Sequence, residues 1–256
     1  MDTKIVSYNL NGIRSAISKG LADWLSRERP DVVCFQELKA EESKIDSALF
    51  QKLGYFTYWH PAVKKGYSGV GIICKRKPDK ITIGCGIDKY DNEGRVMRAD
   101  FGDTSILSIY HPSGSSGEER QSFKMKWLGD FLEYVNNLRK ERKKLILCGD
   151  YNICHKAIDI HNPSANINTS GFLPEERSWF DGFVGQGYVD TFRHFNKNPD
   201  HYSWWSFRAN SRNNNKGWRI DYILVTENLE NKLKSATIFP DAKHSDHCPV
   251  SLDISL

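Results

Sequence analysis

KLILCGDYN, residues 144–152, runs from a short apolar segment into a glycine, an acid and an amide. Lys144–Cys148 reads as a buried strand: it is apolar, too short for a helix, and bounded by a turn residue. Asp150 and Asn152 stand where that strand stops. Just upstream the period changes. Phe123, Trp127, Leu128, Phe131, Val135 and Leu138 recur at three- and four-residue steps, which predicts one amphipathic helix over Glu118–Leu138. Ser115 with Glu118, and Ser116 with Glu119, offer capping-box starts for it. The basic run Arg139–Lys144 places cations against the C-terminal end of its dipole, a structural account preferred here to a nucleic-acid patch.

Working outward, the same kind of apolar run recurs at Lys4–Tyr8, Asp31–Phe35, Val70–Cys74, Ile81–Ile83, Thr104–Tyr110, Ile220–Val225 and Pro249–Ile254. Many strands with few helices point to an α/β fold in which sheets pack face to face with helices outside. No low-complexity linker or charge block divides the chain, so a single domain over 1–256 is expected. The N-terminal MDTKIVSYNL enters a strand pattern without the order of a secretory signal. Nor is there a run of about 20 apolar residues. A cytoplasmic protein without membrane contact is therefore expected. Six cysteines lie scattered without a CxxC pair, mostly inside apolar runs, as buried free thiols do. A net charge of +4 permits a polyanionic partner without requiring one.

Several strands end in polar residues: SYNLNG (7–12), CFQELK (34–39), SIYHPSG (108–114) and CGDYN (148–152), while HSDH (244–247) precedes a strand. One such ending is an ordinary turn; several released at one end of a sandwich make a site. Glu37, Asn11, Asp150, Asn152, Asp221 and Asp246 offer hard oxygens, which suits Mg²⁺, with Mn²⁺ able to substitute, and not zinc. His247, beside Asp246 and with Asp221 available for its other ring nitrogen, can exchange a proton near neutral pH. Tyr110 and Asn152 are neutral donors suited to a phosphate oxygen. There is no GxSxG elbow, Walker A loop or GxGxxG after a strand, which leaves metal-assisted hydrolysis by water. Finally, HYSWWSFR (201–208) and the following loop interleave Trp204, Trp205, Phe207 and Trp218 with Arg208, Arg212 and Lys216. The pattern fits stacking on sugar or base with phosphate neutralisation, and equally a hydrophobic strand followed by a polar loop.

Taken in order, SYNLNGIR, QELK, GYSGVGI (66–72), GDYN, IDIHNP (158–163), GFLPEER (171–177), WWSFR, GWRIDYIL (217–224) and HSDHCPV (244–250) resemble the exonuclease III / abasic-site endonuclease family across almost the whole chain. The resemblance implies a four-layer α/β sandwich, two mixed β-sheets face to face with helices outside. It implies Glu37 as principal metal ligand, Asn11 beside it, Asp246 as a further ligand or orienting group, and Asp150 and Asn152 completing the set. Asp150 would position or deprotonate the attacking water, and the Asp221–His247 pair would contact the scissile phosphate together with Tyr110 and Asn152. Asn9, Arg14, Tyr67, Ser113, Asn166, Arg208 and Arg212 match phosphate or DNA contacts. Trp204, Trp218 and Leu173 match the pocket for a flipped abasic sugar, with Leu173 or Arg208 packing into the duplex gap. Two departures stand out: Asn11 replaces an aspartate of some relatives, a weaker ligand for Mg²⁺, and Ser113 replaces an asparagine. The implied activity is hydrolysis 5′ to abasic sites in double-stranded DNA, leaving a 3′-hydroxyl, with 3′→5′ exonuclease action and removal of 3′ blocks, by a monomer. The rivals are a superfamily phosphatase and a non-catalytic nucleic-acid-binding regulator on the same fold.

Overall fold

A computed structural model of the chain describes residues 2–256. Its strands, in chain order, are β1 (Asp2–Asn9), β2 (Val32–Gln36), β3 (Phe56–His60), β4 (Val70–Cys74), β5 (Lys80–Ile83), β6 (Val96–Phe101), β7 (Thr104–Tyr110), β8 (Lys144–Asp150), β9 (Tyr188–Asp190), β10 (Asp221–Thr226), β11 (Leu233–Ile238) and β12 (Val250–Ser255). They form two six-stranded sheets, β11-β12-β1-β2-β4-β3 and β5-β6-β7-β8-β10-β9. Both are mixed: β1–β2 and β7–β8 run parallel, and the other pairs antiparallel.

The strands read as continuous apolar runs because both of their faces are covered. In β8, Ile146 and Cys148 turn toward the facing sheet and meet Ile5, Cys34 and Ile72, while Leu145 and Leu147 turn outward onto Trp127, Leu128 and Phe131. In the other sheet, Val6, Tyr8 and Phe35 face outward onto Leu21, Trp24 and Phe50. The result is the expected four layers: helices Leu21–Glu28 and Ser47–Lys52 on one side, helices Glu118–Glu141 and Pro174–Val184 on the other. Among the described residues no helix is long and apolar enough to cross a membrane. All six cysteines are free, and only Cys85 is not buried.

The long helix begins differently from expectation. Its N-cap is Gly117 at φ 113°, without a side-chain cap bond, and Ser115 instead meets Ser113 Oγ at 2.9 Å. A side-chain cap contributes about 1 kcal/mol, whereas burying Trp127, Leu128 and Phe131 contributes about 1.5–3 kcal/mol for each side chain. Packing decides where this helix sits. Of the basic run, Arg139 and Lys140 lie in the helix's last turn, while Arg142 donates to Gly102 O at 2.7 Å and Lys144 pairs with Asp103 at 2.5 Å. Segment 201–208 is not a strand; isolated bridges tie Trp204 to Trp218 and to His247.

Two motif residues turn out to hold the fold. Asp159 of IDIHNP and Arg219 of GWRIDY are both buried, with Arg219 Nε 2.8 Å and Arg193 Nη2 2.7 Å from Asp159 Oδ1. Burial alone would raise the Asp159 pKa, but the Arg219 and Arg193 charges outweigh it and hold the carboxyl below its ordinary value. A depressed folded-state pKa makes this contribution fully present above the unfolded aspartate range, near 3.9. It is lost as pH falls through the folded value. Asp159→Asn, which removes the carboxylate shared by two guanidinium groups while Arg219 keeps Asp190 and Arg193 keeps backbone carbonyls, is expected to cost about 1–3 kcal/mol at neutral pH. Urea melts from pH 7 down to pH 3 should show that difference shrinking at the acid end; a constant difference would remove the ion pairs as its cause.

Candidate active site

The topology gathers the polar strand ends. Because β1 and β2 run parallel, as do β7 and β8, Asn9, Gln36, Tyr110 and Asp150 emerge at one end of the sandwich. Antiparallel β10 starts there, with Asp221 directly opposite Asp150. Beyond the strands the chain turns sharply, with Asn11 (φ 45°), Glu37 (φ 52°), Lys39 (φ 48°) and Asn152 (φ 52°) all left-handed. Such geometry costs a non-glycine residue about 1 kcal/mol or more. The two loops offset it by pairing, Leu10 N to Gln36 O at 2.9 Å and Gly12 N to Glu37 O at 2.8 Å.

Asp150 is buried at the floor. Its Oδ2 accepts from Asn9 Nδ2 at 2.9 Å and its Oδ1 from Asn152 N at 2.8 Å. Burial, then the nearby Asp221 charge, push its pKa up to about 8. His247 Nδ1 lies 2.9 Å from Asp221 Oδ2, and its Nε2 lies 3.9 Å from Asp150 Oδ2. Burial opposes the imidazolium, yet the Asp221 charge and hydrogen bond outweigh it and raise His247 to about 10. At neutral pH His247 is therefore a buried cation facing an anion. Ser203 fixes that anion by donating to Asp221 Oδ2 at 2.6 Å while accepting from the Ile220 and Asp221 amides at 3.1 Å.

A second cluster lies beside the first. Tyr110 Oη donates to Glu37 Oε1, and burial followed by the Glu37 and Asp150 charges hold the phenol protonated. Asn11 Nδ2 donates to Asp246 Oδ1 at 2.9 Å, and Trp204 Nε1 to Asp246 Oδ2 at 3.0 Å. Burial would raise the Asp246 pKa, but the His247 charge and these two donors lower it. The Lys39 ammonium lies 2.6 Å from Glu37 Oε2 and 2.5 Å from Asn11 Oδ1. Those two oxygens thus already cradle a cation, and their hard-oxygen chemistry fits Mg²⁺ or Mn²⁺. Asp150, Asp221 and His247 also lie within 4.8 Å of one another. That group fits a metal less well, because a protonated imidazole has no lone pair to offer and already neutralises Asp221.

Both clusters open into a cavity of about 400 Å³ lined by Glu37, Tyr110, Asp150, Asp246 and His247 on one side and by Gly171, Trp204 and Trp218 on the other. The two indoles meet edge to face, ring centres 6.0 Å apart. Asn11, Asn152 and Ser113 also line it. Other expected residues are placed elsewhere. Asn9 is buried, its amide engaged at both ends by Asp150 and the Asn11 N–H. Leu173 heads helix Pro174–Val184, and Gly171 takes its place on the wall. Arg212 donates to Ser245 O, Pro240 O and Ala242 O at 2.7–2.8 Å, over the Trp205 ring, so its guanidinium braces a loop instead of facing the cavity. Tyr67 Oη accepts from Arg95 and Arg120. Asn166 bonds back to Asn162 O at 2.9 Å, and Arg14 and Arg208 are exposed outside the cavity. Lys39 and Ser203 are functional neighbours that motif reading missed. Lys39 was visible as the cation two residues after Glu37; Ser203 was hidden among aromatics.

Residues 6–247 match the Endonuclease/Exonuclease/phosphatase family. The chain is 40% identical, over 99% of its length and 100% of the relative's, to an exodeoxyribonuclease of Bacillus subtilis. It is 39% identical, over 99% of its length and 71% of the relative's, to a DNA-(apurinic or apyrimidinic site) endonuclease of Dictyostelium discoideum. Among solved structures it matches, with TM-score 0.93 and 25% identity over 99% of this chain and 100% of the other, a 3′ phosphatase from Neisseria bound to a product DNA hairpin.

Proposed function

Because this chain belongs to the Endonuclease/Exonuclease/phosphatase family, we propose that it is a monomeric, single-domain DNA-repair phosphodiesterase over residues 1–256. It hydrolyses the backbone 5′ to abasic sites in duplex DNA, leaving a 3′-hydroxyl, and uses the same centre to trim and clean 3′ ends. The observation that carries this reading is the pairing of a hydrolytic floor, Asp150 with Asp221–His247, and an indole-walled slot in one cavity. Two indole faces beside the hydrolytic floor offer an apolar wall on which a flipped sugar without its base can pack. The names of the relatives, exodeoxyribonuclease and apurinic-site endonuclease, support DNA as substrate.

Glu37 and Asn11, with Asp246 behind Asn11, would hold Mg²⁺, or Mn²⁺ in its place, which supplies positive charge against the phosphate oxygens. Asp150, oriented by Asn9 and Asn152, aligns water on the phosphorus and takes its proton; a base works best when its pKa is near the working pH. The His247 imidazolium, Tyr110 Oη and Asn152 Nδ2 meet the non-bridging oxygens, where negative charge grows as water adds. The P–O3′ bond then breaks, and the proton that Asp150 took from water passes back to the released oxygen, leaving the 3′-hydroxyl and restoring the carboxylate.

The test is an end-labelled duplex carrying one stable abasic analogue, incubated with Mg²⁺ or EDTA beside an undamaged duplex. A single metal-dependent cut 5′ to the lesion is expected. Cleavage of a soluble phosphomonoester or lipid headgroup without cleavage of either duplex would favour the phosphatase. Tight DNA binding without cleavage under any divalent ion would favour the regulator.

A further inference from the structure

The slot has a supporting structure of its own. Gly171, at φ 97°, comes so close to the indole wall that a Cβ there would lie 2.9 Å from Trp218 Cζ3 and 3.1 Å from Asn152 O. The position of segment 169–171 therefore sets the slot's width. That segment is anchored by Glu176, whose Oε2 accepts from Gly171 N at 2.6 Å and from Leu173 N at 3.0 Å. Glu176 Oε1 in turn accepts from Lys124 Nζ at 2.6 Å, and the same ammonium donates to Asn152 O at 2.8 Å. Gln121 extends the network, donating to Glu176 at 3.0 Å and accepting from Ser170 Oγ at 2.7 Å.

Lys124 and Glu176 are both fully buried. Removing a charged pair from water is costly, and an apolar pair of similar volume often stabilises as well or better. Helix packing does not call for it, since Trp127, Phe131, Phe180 and Phe183 already join these two helices. Beside the backbone bond from Cys154 N to Gly171 O at 2.7 Å, the pair supplies a side-chain link between Asn152, which bonds Asp150, and Gly171, which abuts Trp218.

We infer that the Lys124–Glu176 pair is a positioning latch that locks the slot to the width of a baseless sugar and so sets the preference for abasic sites over intact nucleotides. This rests on reading the cavity as the abasic-sugar slot. Glu176 holds the wall, Lys124 registers the wall against the catalytic floor, and neither touches the substrate.

Lys124→Met, Glu176→Gln and Gln121→Ala should be compared with the wild type on two substrates, the abasic-analogue duplex and an undamaged duplex digested from its 3′ end. Amide exchange of residues 169–173 should be followed in parallel. In the folded variants the ratio of abasic cutting to intact-nucleotide removal is expected to fall about 10-fold or more, since small misplacements are costly. The loss should appear in kcat with KM for abasic duplex little changed, and exchange at 169–173 should accelerate relative to strands β7 and β8. An equal loss on both duplexes, or accelerated exchange with an unchanged ratio, would overturn the latch. If Lys124→Met does not fold, Glu176→Gln and Gln121→Ala carry the same comparison. A wild type that cuts neither duplex overturns the functional reading and the latch with it, whereas failure of the latch alone leaves wild-type abasic cutting intact.

Discussion

Asp150→Asn lowers single-turnover cleavage of an abasic-analogue duplex by about 10³–10⁴-fold, the upper range for loss of a general base. The replacement is nearly isosteric. It keeps an acceptor for the Asn152 N–H but turns a donor toward Asn9, and it can take no proton from water. Affinity for the duplex in EDTA is expected to hold near pH 7 and to rise above pH 8, where Asp150 carries the charge that the change removes. Melting temperature should not fall much, since Asp150 lies against Asp221 and the change relieves that like-charge contact. Fluorescence binding and quenched-flow cleavage read the two quantities separately. A variant retaining a tenth of the wild-type rate would show that another group takes the proton.

His247→Asn is expected to have two effects of different origin. The first is a loss of about 10²–10³-fold in kcat, as when a preorganised donor to a developing oxyanion is removed. The second is a loss of stability of about 3–5 kcal/mol, because the buried Asp221 carboxylate loses the imidazole that pairs with it. The Asp221 Oδ1 atom already lacks a hydrogen-bond partner, so only the Ser203 hydroxyl on Oδ2 remains to compensate. The double variant Asp221→Asn/His247→Asn separates the effects: neutralising the orphaned carboxylate should recover most of the stability and none of the rate. Recovery of both would make the pair a structural element, and the phosphate contact would have to come from Tyr110 and Asn152 alone.

The strands flanking the site were legible because they are buried on both faces. β4 and β7 run over the residues their apolar runs predicted, and β8 extends two residues further to include Asp150. The strands that escaped notice lack that signature. β6 carries Arg98 and Asp100, which pair with each other. β3 and β11 lie at a sheet edge and are largely not buried, and β9 is only three residues long. The left-handed turn at Glu37 carries no turn residue to announce it. The roles of Asp159 and Arg219 were equally hidden, because a conspicuous motif looks the same whether its charges face a substrate or each other.

The sequence by itself determined which segments are strands buried on two faces, that oxygen donors and one histidine follow them, and which family pattern they compose. These are properties of residue type and spacing, and they survive in one dimension. Only the tertiary structure decided that Asp221 lies opposite Asp150, that His247 is a buried cation, that Arg212 braces a loop, and that Gly171 rather than Leu173 walls the slot. Each of these depends on strand register, on burial, or on a partner far away in the chain, as with the sequence separation of 141 from Asn9 to Asp150. The energy of a charge or a hydrogen bond is set by what surrounds it after folding.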